Sequence, residues 1–393
     1  MRASAFVYPW DVNGDPDAAA RIAGLGVAQV TLAAAYHSTR ALTPRHPRHR
    51  VVTAAHSAVL YPPDERRWQG REPAPYPAGD WAPGDAWGSA AKALAEAGLE
   101  VHTWVVLAHN SRLGAEYPDT SVVNAYGDRY PWAPCIAQPA VRGYLLDLAA
   151  EAAVRPGAAG TELESLGWYG LAHLHAHDKI GGVPLGDAAQ YLMSLCFCPS
   201  CRAGYAGLGA DPDELAAAVR AALVPVWAGR PEAAEGIEAL LGPRWTELTL
   251  TWRTRTAGSL QEQAVAAVRA AAAPGFQVLL HADPVPYRCG ANAGVDVPRI
   301  LAQADGLVLP CPGGPAGAAG RAAVLGPVAA HAGPDTVVAA NFTVVSGMGG
   351  SPGTLAADAA HAAELGATQL RLYHAGLASE ADLAAARAAL HTG

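Results

Sequence analysis

Residues 160–179, GTELESLGWYGLAHLHAHDK, gather two glutamates, two aromatics, three alternating histidines, an aspartate and a lysine within twenty positions. If TELE runs as a strand, Glu162 and Glu164 point the same way, because side chains alternate across a strand. A carboxylate held in a partly buried site can serve as general acid or nucleophile, since burial raises its pKa or fixes its orientation. The competing roles are a buried ion pair or an acid facing water. His173, His175 and His177, if extended, face one side and could converge on a divalent metal, with His281 or His109 completing the sphere. With Lys179 beside them, they also suit a polar lid whose side chains hydrogen-bond substrate or backbone.

Cleaving a glycosidic bond needs a second carboxylate, about 5 Å from the first for retention and farther for inversion. Asp283 in HADPVPY and Asp11 in WDVNGDP are the candidates to face Glu164. For each, a turn-forming role is the alternative. CFCPSC sets Cys196, Cys198 and Cys201 in a C-x-C-x-x-C pattern, which suits a soft tetrahedral metal, zinc being the usual occupant. A fourth ligand would come from Cys135 or a loop histidine; three reduced thiols packed at a helix start are the competing arrangement.

Short β-like runs alternating with Ala/Leu-rich amphipathic runs must position these residues. Strands are expected at SAFVYPW, AQVTLAAAYHS, EVHTWVVLAHN, TELESLGW, FQVLLHAD, DGLVLPC, TVVAANFTVV and TQLRLYHAG. Eight strand–helix units, with no Gly-rich phosphate fingerprint after the first strand, predict a (β/α)8 TIM barrel rather than an open doubly wound sheet. One barrel domain would span 1–393, with long excursions after strands two, three and four. These include a loop insertion at about 37–83 and a helical insertion at about 186–250.

Active sites of such barrels lie at the C-terminal ends of the strands. The first four ends carry Tyr8, Trp10 and Asp11; Tyr36 and His37; Trp104, His109 and Asn110; then Glu162, Glu164, Trp168 and Tyr169. The later four carry His281 and Asp283; Cys311; Asn341; then Tyr373 and His374. Trp10, Trp104, Trp168, Tyr169 and Tyr373 could stack on the apolar faces of sugar rings, although aromatics of this kind also fill cores.

The 393 residues carry a net charge of −8, with 51% hydrophobic and 16% charged residues. That supports a large core and lacks the charge of a disordered chain. No Lys/Arg cluster interleaves with aromatics, which argues against a nucleic-acid partner. No apolar span reaches about 18 unbroken residues, which argues against a membrane helix. MRASAFVYPWDV lacks the apolar core of a signal peptide. The expected compartment is the cytoplasm, where the six cysteines are thiols or metal ligands rather than disulfides. Association into a homo-oligomer is compatible with this composition.

A barrel with a Glu ending strand four, followed by a C-x-C-x-x-C cluster, resembles the family 42 glycoside hydrolases (β-galactosidases). The passage NAYGDRYPWAPCIAQPAVRGYLLDLAAEAA leading into GTELESLGW also resembles uncharacterised glycosyl-hydrolase-like barrels. The resemblance implies that Glu164 is the acid/base and that Cys135, Cys196, Cys198 and Cys201 hold structural zinc. It covers roughly residues 100–205 and the general barrel plan. Three features depart from it: Leu163 stands where the family has Asn, strand seven (AANFTVVSG) offers Asn341 and no carboxylate, and the cysteines lie farther from the Glu. These departures favour a pairing of Glu164 with Asp283, or a barrel that has lost hydrolysis.

The expected function is therefore that of a carbohydrate-active barrel, a glycoside hydrolase acting on a small glycoside without a catalytic cofactor. Substrate contacts are expected from Tyr8, His37, His109, Glu162, His281, Asn341 and the aromatics. The rivals are a metal-dependent hydrolase or lyase using the histidine loop, and a non-catalytic sugar-binding barrel.

Overall fold

The computed structural model describes residues 1–171, 179–230 and 236–391. Eight strands form its centre: β1 (Arg2–Val7), β2 (Gln29–Tyr36), β3 (Glu100–Val106), β4 (Gly160–Glu164), β5 (Gln277–Asp283), β6 (Gly306–Pro310), β7 (Val337–Thr343) and β8 (Gln369–Tyr373). Each pairs in parallel with the next, and β8 pairs back to β1, so the sheet closes into a barrel. Strands in a closed parallel sheet are covered on both faces. Accordingly every residue of β2 is buried.

A helix layer surrounds the barrel: α1 (Ala18–Ala23), α2 (Ala86–Glu96), α3 (Pro139–Ala153), α4 (Pro243–Ala271), α5 (Val297–Leu301), α6 (Ala318–Ala329), α7 (Leu355–Glu364) and α8 (Glu380–His391). The sequence explains how such a helix docks. In α2 the Asp85 side chain accepts from Gly88 N and caps the first turn. Trp87, Ala90, Ala91 and Leu94 then fall on one stripe and are buried. In α3, Pro139 takes the first helical position, where a missing N–H costs nothing.

The excursions lie where the long inter-unit segments were expected. After β2, a hairpin (Thr39–Leu42 with Val51–Ala54) precedes a short strand, Ala58–Val59, that adds antiparallel to β2. After β3 come the helix Ser111–Glu116 and a hairpin of Ser121–Val123 with Arg129–Pro134, which delivers Cys135. After β4, helices Asp187–Met193, Pro199–Gly207, Pro212–Trp227 and Ile237–Leu241 precede α4.

Several strands end earlier than the apolar runs implied, β1 and β4 among them. β1 stops at Val7, and Tyr8 is the N-cap of a short helix, Pro9–Val12. β4 stops at Glu164, because Ser165 adopts a left-handed φ of 57° and turns the chain out of the sheet. A non-glycine residue in that region carries strain, and such strain collects at functional sites.

Candidate active site

Glu164, the last residue of β4, is buried. Its neighbour on β3 is set by register: Val106 pairs with Glu164 and Trp104 with Glu162. The Trp104 indole N–H donates to Oε2 of Glu164 at 2.7 Å. On the other side Leu163 pairs with Leu280, bringing the following His281 alongside, with Nδ1 3.9 Å from the same Oε2. Among the described residues no side chain bonds Oε1. Burial raises the Glu164 carboxyl above its ordinary value; His281 and the Trp104 hydrogen bond oppose the rise, and the Glu162 charge adds to it. Such a group retains its proton to higher pH than a free carboxylate, as a general acid requires.

Glu162 lies one pleat below, in the barrel interior, and is completely buried. Its Oε1 accepts from Arg371 Nε at 2.6 Å and Thr31 Oγ1 at 3.2 Å. Its Oε2 lies 3.1 Å from His281 Nε2. Burial alone would raise this carboxyl, but Arg371 and His281 hold it down at about 2. The expected substrate contact by Glu162 is therefore not what the barrel provides. It is a fixed anion that holds His281, and His281 in turn stands beside Glu164.

A cavity of about 350 Å³ opens above these residues, lined by Glu164, His281, Asn292, Cys311, Asn341 and Tyr373 among others. This is the lower end of the range for small-molecule sites, about 300–1,000 Å³. Oδ1 of Asn341 and Oδ1 of Asn292 are both buried without a hydrogen-bond partner. Buried acceptors are nearly always satisfied, so these two oxygens on the cavity wall are open to water or to a polar ligand.

The aromatic residues sort into different roles. Trp104 is fully buried and packs edge-on against Phe6 and Tyr373, so it serves Glu164 rather than a sugar face. Tyr8 and Trp10 stack on each other, both buried, and Tyr8 Oη lies 3.2 Å from His374 Nδ1. Tyr373 lines the cavity. His37 stacks on Tyr36 and lies against His109, which stacks on Tyr169. Burial raises the Tyr169 phenol, and the Glu164 charge adds to the rise. Trp168 lies elsewhere. Beyond the turn at Ser165 its indole N–H donates to Arg253 O, and its ring lies under the Arg253 guanidinium against α4.

The two carboxylates expected opposite Glu164 do not line the cavity. Asp283 accepts from Val285 N at 2.8 Å and from Arg288 Nε at 3.2 Å, forming the Asx-type turn that its place before Pro allows. Asp11 accepts from Tyr8 N at 2.8 Å, capping the short helix, while its Oδ1 has no partner. Burial pushes Asp11 up to about 7, with the Tyr8 hydrogen bond and Arg45 acting against the rise. Gly376 crosses so close that a Cβ there would sit 1.8 Å from Asp11 Oδ2. Lys179 is exposed. His173, His175 and His177 lie outside the described residues.

The cysteines converge. Cys135, Cys196, Cys198 and Cys201 are buried with their sulfurs all within 4.8 Å of one another, and Cys135 Sγ lies 3.6 Å from those of Cys198 and Cys201. Four thiolates at about 2.3 Å from a tetrahedral zinc would be separated by about 3.8 Å, so the donor set fits that ion. The N–H groups of Val123 and Cys198 both donate to Cys196 Sγ at 3.5 Å, as charged thiolate acceptors favour.

Arg371 and Asn292 were not anticipated from the sequence. An Arg between two leucines inside a strand (LRL) was the available signal for Arg371, since a buried cation must find an anion. Asn292 lies in a loop with no such signal.

The barrel is one that solved glycoside hydrolases share. It aligns over 100% of its length with α-L-fucosidase isoenzyme 2 from Paenibacillus thiaminolyticus (TM-score 0.60, 13% identity), of which it covers 49%. It also aligns over 99% of its length with 98% of the PgaB glycoside hydrolase domain from Bordetella bronchiseptica (TM-score 0.60, 16% identity). A catalytic mutant of a GH42 β-galactosidase from G. stearothermophilus aligns over 95% of this chain and 51% of its own (TM-score 0.53, 12% identity). The chain thus spans about half the length of the fucosidase and of the galactosidase. No family model and no curated protein matches the sequence. No helix among the described residues is long and apolar enough to cross a membrane.

Proposed function

We propose that the protein is a glycoside hydrolase in which Glu164 is the general acid. The observation that carries this reading is a buried carboxyl at the C-terminal end of β4, held through Oε2 by Trp104, in the lining of a polar cavity. Its proton would pass to the glycosidic oxygen as the bond to C1 breaks. The likeness of the barrel to a fucosidase, a PgaB hydrolase domain and a β-galactosidase supports the same class of reaction. A cavity of about 350 Å³ suits a small sugar unit, with Tyr373, Asn292 and Asn341 in contact with it. No cofactor takes part in this chemistry. The four cysteines would hold a structural zinc, and the cytoplasm would be the working compartment.

Glu164→Gln keeps the shape of the site and removes the proton. It should lower kcat on aryl glycosides by about 10²–10⁴. Undiminished turnover by the folded variant would remove Glu164 from the chemistry. The second reading is a sugar-binding barrel without turnover, favoured by the absence of a carboxylate along β7, where Asn341 faces the cavity. Calorimetric sugar binding by a wild-type protein that cleaves no glycoside in a broad panel would establish it.

A further inference from the structure

Acid alone does not complete the reaction. As the glycosidic bond breaks, C1 needs an electron pair from a nucleophile. Retaining enzymes supply it with a second carboxylate about 5–5.5 Å away, and inverting enzymes with water activated by a base about 6.5–9.5 Å away. Among the described residues the cavity carries one carboxylate, Glu164. Asp283 is committed to its turn and Arg288, Asp11 to its helix cap, and Glu162 is sealed beneath by Arg371, Thr31 and His281. The cavity offers instead the unpartnered Oδ1 of Asn341, that of Asn292, and the phenol of Tyr373. Asn341 and Tyr373 stand at the same end of the adjacent strands β7 and β8. The Tyr373 hydroxyl is engaged with Tyr36, so the open groups are the two amide oxygens, and an unpartnered acceptor of this kind is the complement of an amide N–H.

We infer that the substrate is a glycoside of a 2-acetamido-2-deoxy sugar, and that its own acetamide oxygen is the nucleophile that the described lining of this cavity lacks. The inference rests on the hydrolase reading above. The acetamide oxygen attacks C1 while Glu164 gives its proton to the leaving oxygen, so the C1–O bond breaks and the aglycone departs as an alcohol. The sugar becomes a cyclic oxazolinium whose N–H is held by Asn341 Oδ1. Water then attacks C1 and gives a proton to the Glu164 carboxylate, the ring opens, and the acetamide and the acid are restored. One water is consumed and the anomeric configuration is retained. The attack requires the acetamide and the leaving group to be trans across C1 and C2.

The test uses the wild-type protein and paired aryl β-glycosides of glucose and galactose type, with either a 2-acetamido or a 2-hydroxyl group. The acetamido member of a pair should be preferred on the order of 10⁴ in kcat/KM, because an analogue without the amide leaves the site's polar groups unpaired. N-Trifluoroacetyl substitution, which weakens the carbonyl nucleophile, should slow turnover at least about tenfold in the same way. Equal or preferential cleavage of the hydroxyl member overturns the inference and leaves the hydrolase reading intact. Insensitivity to fluorination, with activity lost in Asp178→Asn, overturns it in favour of a carboxylate nucleophile outside the described residues. Absence of cleavage across the whole panel overturns both.

Discussion

The indole nitrogen of Trp104 lies 2.7 Å from Oε2 of Glu164, donated across the register that places β3 beside β4. That hydrogen bond favours the charged carboxylate, whereas burial favours the protonated one, and burial wins. Trp104 therefore tempers the Glu164 carboxyl while engaging one of its two oxygens.

Trp104→Phe keeps most of the ring packing and removes the N–H. The Glu164 carboxyl should then rise further, because a bond to its charged form is gone. An essential acid loses activity as pH rises through its pKa, so the alkaline limb of the kcat profile should move to higher pH. We expect kcat itself to fall about 10–100-fold as the acid loses its orientation. A profile whose alkaline limb stays in place would show that Trp104 does not act on Glu164.

Arg371 and Glu162 are both completely buried, and the pair cannot be half removed cheaply. Arg371→Met should destabilise the barrel by about 3–5 kcal/mol, because an unpaired anion is left in the interior. Adding Glu162→Gln should restore much of the loss. Urea unfolding of the two variants decides the matter: equal stability of the single and double variants would deny the coupling.

Glu162 also predicts an acid limit to stability. Its carboxyl is depressed from 4.5 to about 2, so its contribution is complete above about pH 4.5 and is lost as pH falls through about 2. By linkage this amounts to ~3 kcal/mol. Unfolding midpoints measured between pH 5 and 2 should follow that loss in the wild type, and the double variant should show a shallower slope.

Asp11 has the opposite sign. Its pKa is raised from 3.8 to about 7, so the folded state binds the proton more tightly than the unfolded state. Stability from this group is complete below about pH 3.8 and declines as pH rises to about 7, by ~4 kcal/mol if the whole shift is expressed. Asp11→Asn should preserve the hydrogen bond to Tyr8 N and flatten the pH dependence between 4 and 7. A slope unchanged in the variant would locate the titration elsewhere.

Metal analysis tests the cysteine site. Purified protein should contain one zinc per chain, and Cys201→Ser should lose it. Chelation should lower the melting temperature, while kcat per folded molecule stays constant, as the proposed structural role requires. Protein that carries no metal after growth with zinc, and gains no stability on its addition, would contradict the assignment.

Much of the scaffold was legible because alternation is a strong signal. Eight apolar runs separated by Ala-rich helices, with no phosphate fingerprint, leave little besides a barrel, and the end of strand four marked Glu164. The four cysteines converge because Val123 of the hairpin before Cys135 bonds Cys196 and Phe197, just ahead of Pro199–Gly207. Other positions depended on single backbone angles. Ser165 turns Trp168 away from the barrel mouth, an excursion to positive φ that a serine does not announce. Asp283 looks like a catalytic carboxylate in sequence, but the following Pro and the Arg five residues on draw it into a turn. Arg371 was missed because its partner is 209 residues away, and only closure of the barrel brings the two together.

Glu162 belongs to β4 and Arg371 to β8, which are diametrically opposed in the ring of strands. Their ion pair is thus a crossbeam, spanning the barrel from wall to wall just beneath the cavity floor. Widening of the ring or slippage of one half against the other would have to break it. Glu164, one pleat above, stands on a footing whose width is set by charge.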